Sequence, residues 1–171
     1  MLKHFLPDQH AKSIFEITPV SLKDKGIKGI ITDLDNTLVE WDRPSATPKL
    51  INWFEEIKHS GISVTIVSNN KENRVKYFSE PLGIPYIFQA RKPMRRAFHR
   101  AMMEMGLKKE ETVVIGDQLL TDVLGGNLGG FHTILVVPVA QTDGFWTRFN
   151  RKIERRLLDM FRKQGKLKWE D

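Results

Sequence analysis

A chain of 171 residues with 40% apolar side chains is long enough to bury one sizeable core. It contains no cysteine, which excludes disulfides and thiolate chemistry and fits a reducing cytosol. The formal net charge of +6 is gathered at one end, where residues 145–171 carry nine Lys/Arg against four Asp/Glu, so an anionic partner is sought there first.

Residues 1–26 open the chain with Pro7, the cluster Ile14-Phe15-Glu16-Ile17 and Pro19. They suggest an ordered leader with one short helix, packed against the edge of a sheet and carrying no chemistry. It lacks the apolar centre of a signal peptide. No later stretch approaches the roughly 20 apolar residues that span a bilayer, so the expectation is a soluble or peripheral protein. Apolar, β-rich runs then alternate with helical patterns. Strands are predicted over 27–32, 63–67, 86–88, 112–115 and 133–137. Helices are predicted over 49–59 (stripe Leu50, Trp53, Phe54, Ile57), 72–79, 94–105 and 119–128. Gly61, Gly83 and Gly106 follow helices where a left-handed cap is expected. This alternation predicts an α/β fold with a parallel sheet and helices on both faces, joined by right-handed crossovers.

Four polar signals stand at the ends of these strands. The strand over 27–32 delivers Asp33-Leu34-Asp35-Asn36-Thr37. In an open α/β sheet that end of a strand is where ligands bind, and buried carboxylates without partners are costly. An aspartate nucleophile beside an aspartate acid, near a metal, is one way to hydrolyse a phosphate ester. The strand over 63–67 delivers Ser68-Asn69-Asn70, which also reads as an ordinary turn and helix cap. Arg91-Lys92-Pro93 precedes the third helix, and the strand over 112–115 delivers Gly116-Asp117 with Asp122 five residues on. In a parallel sheet these ends share one edge, so the acids, the serine and the lysine can converge.

With these four motifs in order over about residues 27–140, the chain resembles the haloacid dehalogenase-type (HAD) phosphatases. Within them it looks most like the YqeG branch of subfamily IIIA, through residues 29–40 and the GDQLLTD of 116–122. The resemblance implies a Rossmann-like three-layer sandwich over a single domain, 1–171, with a catalytic core at 27–140. It implies Asp33 as the nucleophile and Asp35 as general acid and then base; ATPase relatives have Thr at the latter position, which favours hydrolysis of an ester. Ser68 and Lys92 would hold the phosphoryl oxygens, with Asn69 beside them. Mg²⁺ would be bound by Asp33, Asp117 and the backbone carbonyl of Asp35. Thr37 and Asp122 would support the site, Asp122 by pairing with Lys92. The gaps 36–67 and 69–91 leave no room for a cap domain, so an open site is expected. The loop 39–47, with Trp41 and Arg43, is then the one candidate substrate flap, although Arg43 also reads as a plain surface arginine.

Residues 145–171 form a basic amphipathic pattern. Phe145, Phe149, Ile153, Leu157 and Phe161 recur every four residues among arginines and lysines. Such a helix docks on a core, lies on an anionic membrane through residues 145–168, or binds nucleic acid or protein. The YqeG branch is similar to mitochondrial phosphatidylglycerophosphate phosphatases, so the resemblance implies a phospholipid headgroup as substrate, handled at the cytoplasmic face by a peripheral protein. Nucleic acid is the disfavoured partner. Two other functions fit the same residues: a soluble phosphatase of a nucleotide or sugar phosphate, and an RNA- or protein-binding adaptor that keeps a phosphatase fold.

Overall fold

The computed structural model describes residues 2–140 and 145–166, which fall into two compact units, 1–140 and 141–171. Of residues 145–150 only the backbone is described; their side chains and the predicted tail beyond 166, including Lys168, lie outside the described residues. Six strands make one wholly parallel sheet: β1 (Gln9–Ala11), β2 (Gly29–Thr32), β3 (Ser63–Val67), β4 (Tyr86–Ile87), β5 (Thr112–Gly116) and β6 (His132–Val136), in the order β1-β6-β5-β2-β3-β4. Every residue of the central strands β2 and β5 is buried, as expected for a parallel sheet covered on both faces.

Successive side chains of a strand point to opposite faces, and the two cores follow that alternation. Ile30, Ile66, Val113 and Ile115 join one cluster with Leu50, Trp53 and Ile57, while Ile31, Val67 and Val114 join Phe98, Ala101 and Phe131 in the other. The first face carries α1 (Pro19–Asp24), α2 (Pro48–His59) and α3 (Glu72–Ser79); the second carries α4 (Arg96–Glu104) and α5 (Leu124–Leu128). The result is the expected three-layer α/β sandwich. Helix α2 buries its Leu50, Trp53, Phe54 and Ile57 stripe and starts where the Thr47 hydroxyl accepts the Leu50 N–H at 3.2 Å. Gly61, Gly83 and Gly106 adopt φ of +83°, +65° and +69° at the ends of their helices.

Three departures from the sequence expectation matter. The leader does more than pack: Gln9, His10 and Ala11 pair with Ile134, Leu135 and Val136 and extend the sheet by a strand. Its one expected short helix is α1, preceded by single 3-10 turns at Leu2–Phe5 and Ile14–Glu16. Helix α4 begins at Arg96, because the chain first closes a turn in which Met94 N–H donates to Arg91 O at 3.0 Å. The helix expected over 119–128 opens as a π-helix, Leu119–Val123, before α5. In the second unit, α6 (Phe145–Lys163) is a single helix, and Arg151 pairs with Glu154 within it at 3.4 Å. Among the described residues no helix is long and apolar enough to cross a membrane.

The leader is tied to β6 by Asp8, whose Oδ2 accepts the Thr133 N–H at 2.9 Å and lies 3.7 Å from His132 Nδ1. His132 Nε2 is buried without a hydrogen-bond partner among the described residues. Burial pushes the His132 pKa down, Asp8 pulls it up and Lys25 adds to the depression; the net direction is down. The folded state thus prefers neutral His132. Stability is intact above the ordinary histidine pKa of about 6.5 and declines as pH falls from there toward the depressed folded value. Urea melts at mildly acidic and neutral pH should show a smaller acid loss for His132→Gln than for the parent chain; equal losses would remove His132 from the account.

Candidate active site

The register of the sheet sets the site. Thr32 at the end of β2 is level with Ile66 of β3 and Ile115 of β5. The next residues therefore leave three adjacent strands at one edge: Asp33 directly, then Ser68 and Asp117 a residue later on each side. Asp33 stays tied to β5 through its N–H, which donates to Ile115 O at 3.0 Å. Asn36 then turns the chain at φ +61°, a left-handed conformation that asparagine tolerates. Its Oδ1 accepts the Trp41 N–H at 3.2 Å, which fixes the start of the flap.

Four of the expected residues meet around Lys92. Its ammonium donates to Asp33 Oδ1 at 3.0 Å and to Asp122 Oδ1 at 2.7 Å, and its side chain is only 2% exposed. Burial alone would push the Lys92 pKa down; the carboxylates of Asp122 and Asp33 outweigh it and hold the ammonium charged, above its ordinary range. For Asp122 burial acts in the opposite sense and raises the carboxyl, with Lys92 pulling it back and Asp33 adding to the rise. We read the pair as ionised, since the two carboxylates around one ammonium stabilise its charge from both sides. The Thr37 hydroxyl donates to Asp117 Oδ1 at 3.0 Å and stands 3.5 Å from Asp33 Oδ2, linking the β2 and β5 loops.

Asp122 reaches inward because of the π-turn: the N–H groups of both Asp122 and Val123 donate to Gln118 O, and Asp122 Oδ2 accepts the Gln118 N–H at 3.3 Å. A Cβ on Gly116 would sit 2.1 Å from that same Oδ2, so only glycine admits the carboxylate here. The oxygens of Asp33, Asp117 and Asp122 lie within 4.8 Å of one another, all three residues buried. Among the described residues Lys92 is the only buried cation. Three clustered buried carboxylates, only two of them bonded to the ammonium, with oxygen donors alone, fit a hard divalent cation.

The other expected residues are placed more loosely. Ser68 is 1% exposed and its Oγ accepts the Asn70 N–H at 3.0 Å, which leaves the hydroxyl hydrogen for another acceptor. The Asn69 side chain is committed to the Lys92 backbone, accepting its N–H at 2.7 Å and donating to its carbonyl at 3.2 Å. One Nδ2 hydrogen and the Asn69 main chain remain for an anion, while the rest of the side chain holds the lysine loop. Asp35 stands outside the Lys92 cluster, its carboxylate accepting from Asn70 Nδ2 at 2.9 Å and from Arg74 Nε at 3.1 Å. Burial lifts the Asp35 carboxyl above its usual range; Asn70 and Arg74 pull it back, and the charge on Asp33 adds to the lift.

Trp41 is 46% exposed, and together with Arg43, Pro44, Arg74 and Tyr77 it lines a cavity of about 480 Å³. Sequence reasoning missed two partners of Asp35, Asn70 and, with more consequence, Arg74. Besides Asp35 it donates to Pro44 O at 3.2 Å and Glu40 O at 3.5 Å, so one guanidinium fastens both the second acid and the flap. The one signal for it was its position four residues before buried Phe78, on the inner side of α3.

Chemically, the edge presents a carboxylate paired to an ammonium, a second carboxyl that holds a proton more readily than usual, a buried hydroxyl, and a cluster of acids for a cation. Comparison with known proteins agrees. A family model described as HAD-hydrolase-like matches residues 89–138. The chain is 69% identical to a Bacillus subtilis protein named "Probable phosphatase YqeG", over 99% of this chain and 98% of that one. It is 28% identical to phosphatidylglycerophosphate phosphatase 1, chloroplastic/mitochondrial, of Arabidopsis thaliana, over 94% of this chain and 49% of that protein, so it spans about half the plant relative's length. The fold matches that of the cobalt-bound deoxy-D-mannose-octulosonate 8-phosphate phosphatase (YrbI) of Haemophilus influenzae with a TM-score of 0.56 at 18% identity, over 80% of this chain and 90% of that one. The chain belongs to the HAD-like phosphatases, in the YqeG branch, and is a phosphatase acting on phosphomonoesters.

Proposed function

We propose that this phosphatase hydrolyses phosphatidylglycerophosphate to phosphatidylglycerol through an aspartyl-phosphate on Asp33. The observation that carries the chemistry is the contact between Asp33 Oδ1 and Lys92 Nζ at 3.0 Å in a buried setting. Asp33 needs no neighbouring base, because a carboxylate is ionised at neutral pH. Its oxygen attacks phosphorus while the bond to the leaving alcohol breaks, and the proton on Asp35 goes to the departing oxygen. Asp35 then takes a proton from water as that water attacks the aspartyl-phosphate, which frees inorganic phosphate and restores Asp33. Lys92 and the Ser68 hydroxyl stabilise the phosphoryl oxygens as charge develops, and Asp122 holds Lys92 in place. Asp33, Asp117 and the Asp35 carbonyl would hold Mg²⁺, which when bound supplies positive charge against those same oxygens.

Three features support the lipid substrate. The plant relative carries that activity in its name. The segments between the motifs hold only the flap, α2 and β3, then α3, a 3-10 turn and β4, so neither segment contains a cap domain. The basic helix α6 suits an anionic membrane surface, which on this reading is the cytoplasmic face, with the protein peripheral to it. The test is phosphate release from phosphatidylglycerophosphate in mixed micelles with Mg²⁺, run beside a soluble sugar phosphate and a nucleotide. Turnover of the lipid near or above ~1 s⁻¹, well above that of the soluble esters, is the expected result. Equal or better turnover of a soluble ester would transfer the assignment to a small phosphomonoester.

A further inference from the structure

The edge that carries the acids also carries exposed apolar side chains that the reaction does not use. Met94 is 59% exposed, two residues beyond Lys92, and Val137 and Val139, just past β6, are 43% and 45% exposed. Trp41, 46% exposed, begins the flap. These residues belong to the same edge as the site: the Trp41 N–H donates to Asn36 Oδ1 and the Val139 N–H donates to Asn36 O at 2.9 Å, so both flank the turn that follows Asp35. The loops after β6 and β4 stand at the two ends of this row, four strand spacings apart, or roughly 19 Å at 4.8 Å per strand. Protruding apolar side chains thus stand at both ends of the edge that carries the site.

Its charge selects the partner. In the loops and first helical turns at this edge, Lys12, Arg43, Lys49, Lys71, Arg91, Arg95 and Arg96 are exposed, against Glu16, Asp42 and Glu72. Met94 itself sits between Arg91 and Arg95 with no acid nearby in sequence. Cations surrounding single protruding apolar side chains match the headgroup layer of an anionic bilayer, where the apolar tips enter and the cations stay among the phosphates. A protein partner would call for a continuous, closely packed patch, which scattered single side chains do not provide.

We infer that the active-site rim is itself a membrane-docking surface, with Met94, Val137 and Val139 entering an anionic lipid interface so that the cleft opens onto the headgroups. This rests on the lipid reading of the substrate, and it is independent of α6, which belongs to the other unit. The chain has no cysteine, so single positions can be labelled cleanly. An environment-sensitive fluorophore is attached through Met94→Cys, through Val139→Cys and, as a control, through Met103→Cys, which is 71% exposed at the far end of α4. The full chain is then mixed with phosphatidylglycerol–phosphatidylcholine vesicles or with phosphatidylcholine alone.

Emission should rise at least about twofold and shift to the blue at the first two positions on the anionic vesicles only, with no change at Met103→Cys. A silent rim, no vesicle binding, or an equal response at Met103→Cys overturns the inference. Phosphate release from vesicle-borne phosphatidylglycerophosphate, measured in parallel, separates the two readings. A responding rim without lipid turnover removes the substrate assignment and keeps the surface; lipid turnover with a silent rim does the reverse.

Discussion

Asp33→Asn is expected to lower phosphate release by at least about 10⁴-fold, as removal of a nucleophile from a catalytic group does, while leaving the fold intact. Asparagine has the shape of aspartate, and its Oδ1 can still accept from Lys92, which also keeps its 2.7 Å bond to Asp122. What it loses is the negative charge and the nucleophilic oxygen. Stability should be unchanged or slightly higher, because the substitution removes one of three carboxylates held within 4.8 Å of one another and so relieves their repulsion. The checks are phosphate release from lipid and soluble esters, and urea unfolding of the same preparation. Retained turnover would end the aspartyl-phosphate route. A large loss of stability would make Asp33 a structural acid whose burial serves the fold.

The parts of this molecule legible in the sequence are those governed by short-range periodicity. Strand β3 and helix α3 have the expected bounds, because Ser63–Val67 is an uninterrupted β-rich run and Glu72–Ser79 repeats at helical spacing. Strand β1 was not legible: Gln9-His10-Ala11 is short and polar, and it is a strand only because β6 offers it an edge. The same division runs through the site. Asp33, Ser68, Lys92 and Asp117 each stand beside a strand end or helix start that the sequence announces. Asn70 and Arg74 do not, since each reads as an ordinary cap or surface residue until the fold brings it to Asp35, 35 and 39 residues away in the chain. The π-turn is a further case. Helical periodicity over 119–128 is genuine, but the extra residue that turns Asp122 toward Lys92 answers to the ion pair and to the space at Gly116.

That ion pair carries the second large effect. Lys92→Met keeps a chain of similar length in a site where the lysine side chain is 2% exposed, and it removes the one ammonium shared by Asp33 and Asp122. Breaking a buried charge pair by deleting one partner costs about 3–5 kcal/mol, and here two carboxylates lose their partner at once. In metal-free buffer the variant should therefore unfold at distinctly lower urea than the parent chain. A divalent cation bound by the remaining acids can supply part of the missing positive charge. Ligand at about 100 times its dissociation constant stabilises by about 2.7 kcal/mol, so Mg²⁺ should narrow the gap, raising the variant's midpoint more than the parent's. Turnover should stay low even when stability is recovered, because the electrostatic contact to the phosphoryl group is gone, at a cost of about 10²–10³-fold by analogy with loss of one oxyanion donor. A variant as stable as the parent without metal would mean that the acids around Lys92 do not share the folded state as charged groups. Recovery of stability by Mg²⁺ without recovery of turnover would separate the two duties of Lys92: balancing the buried acids in the resting protein, and meeting the phosphoryl group during the reaction.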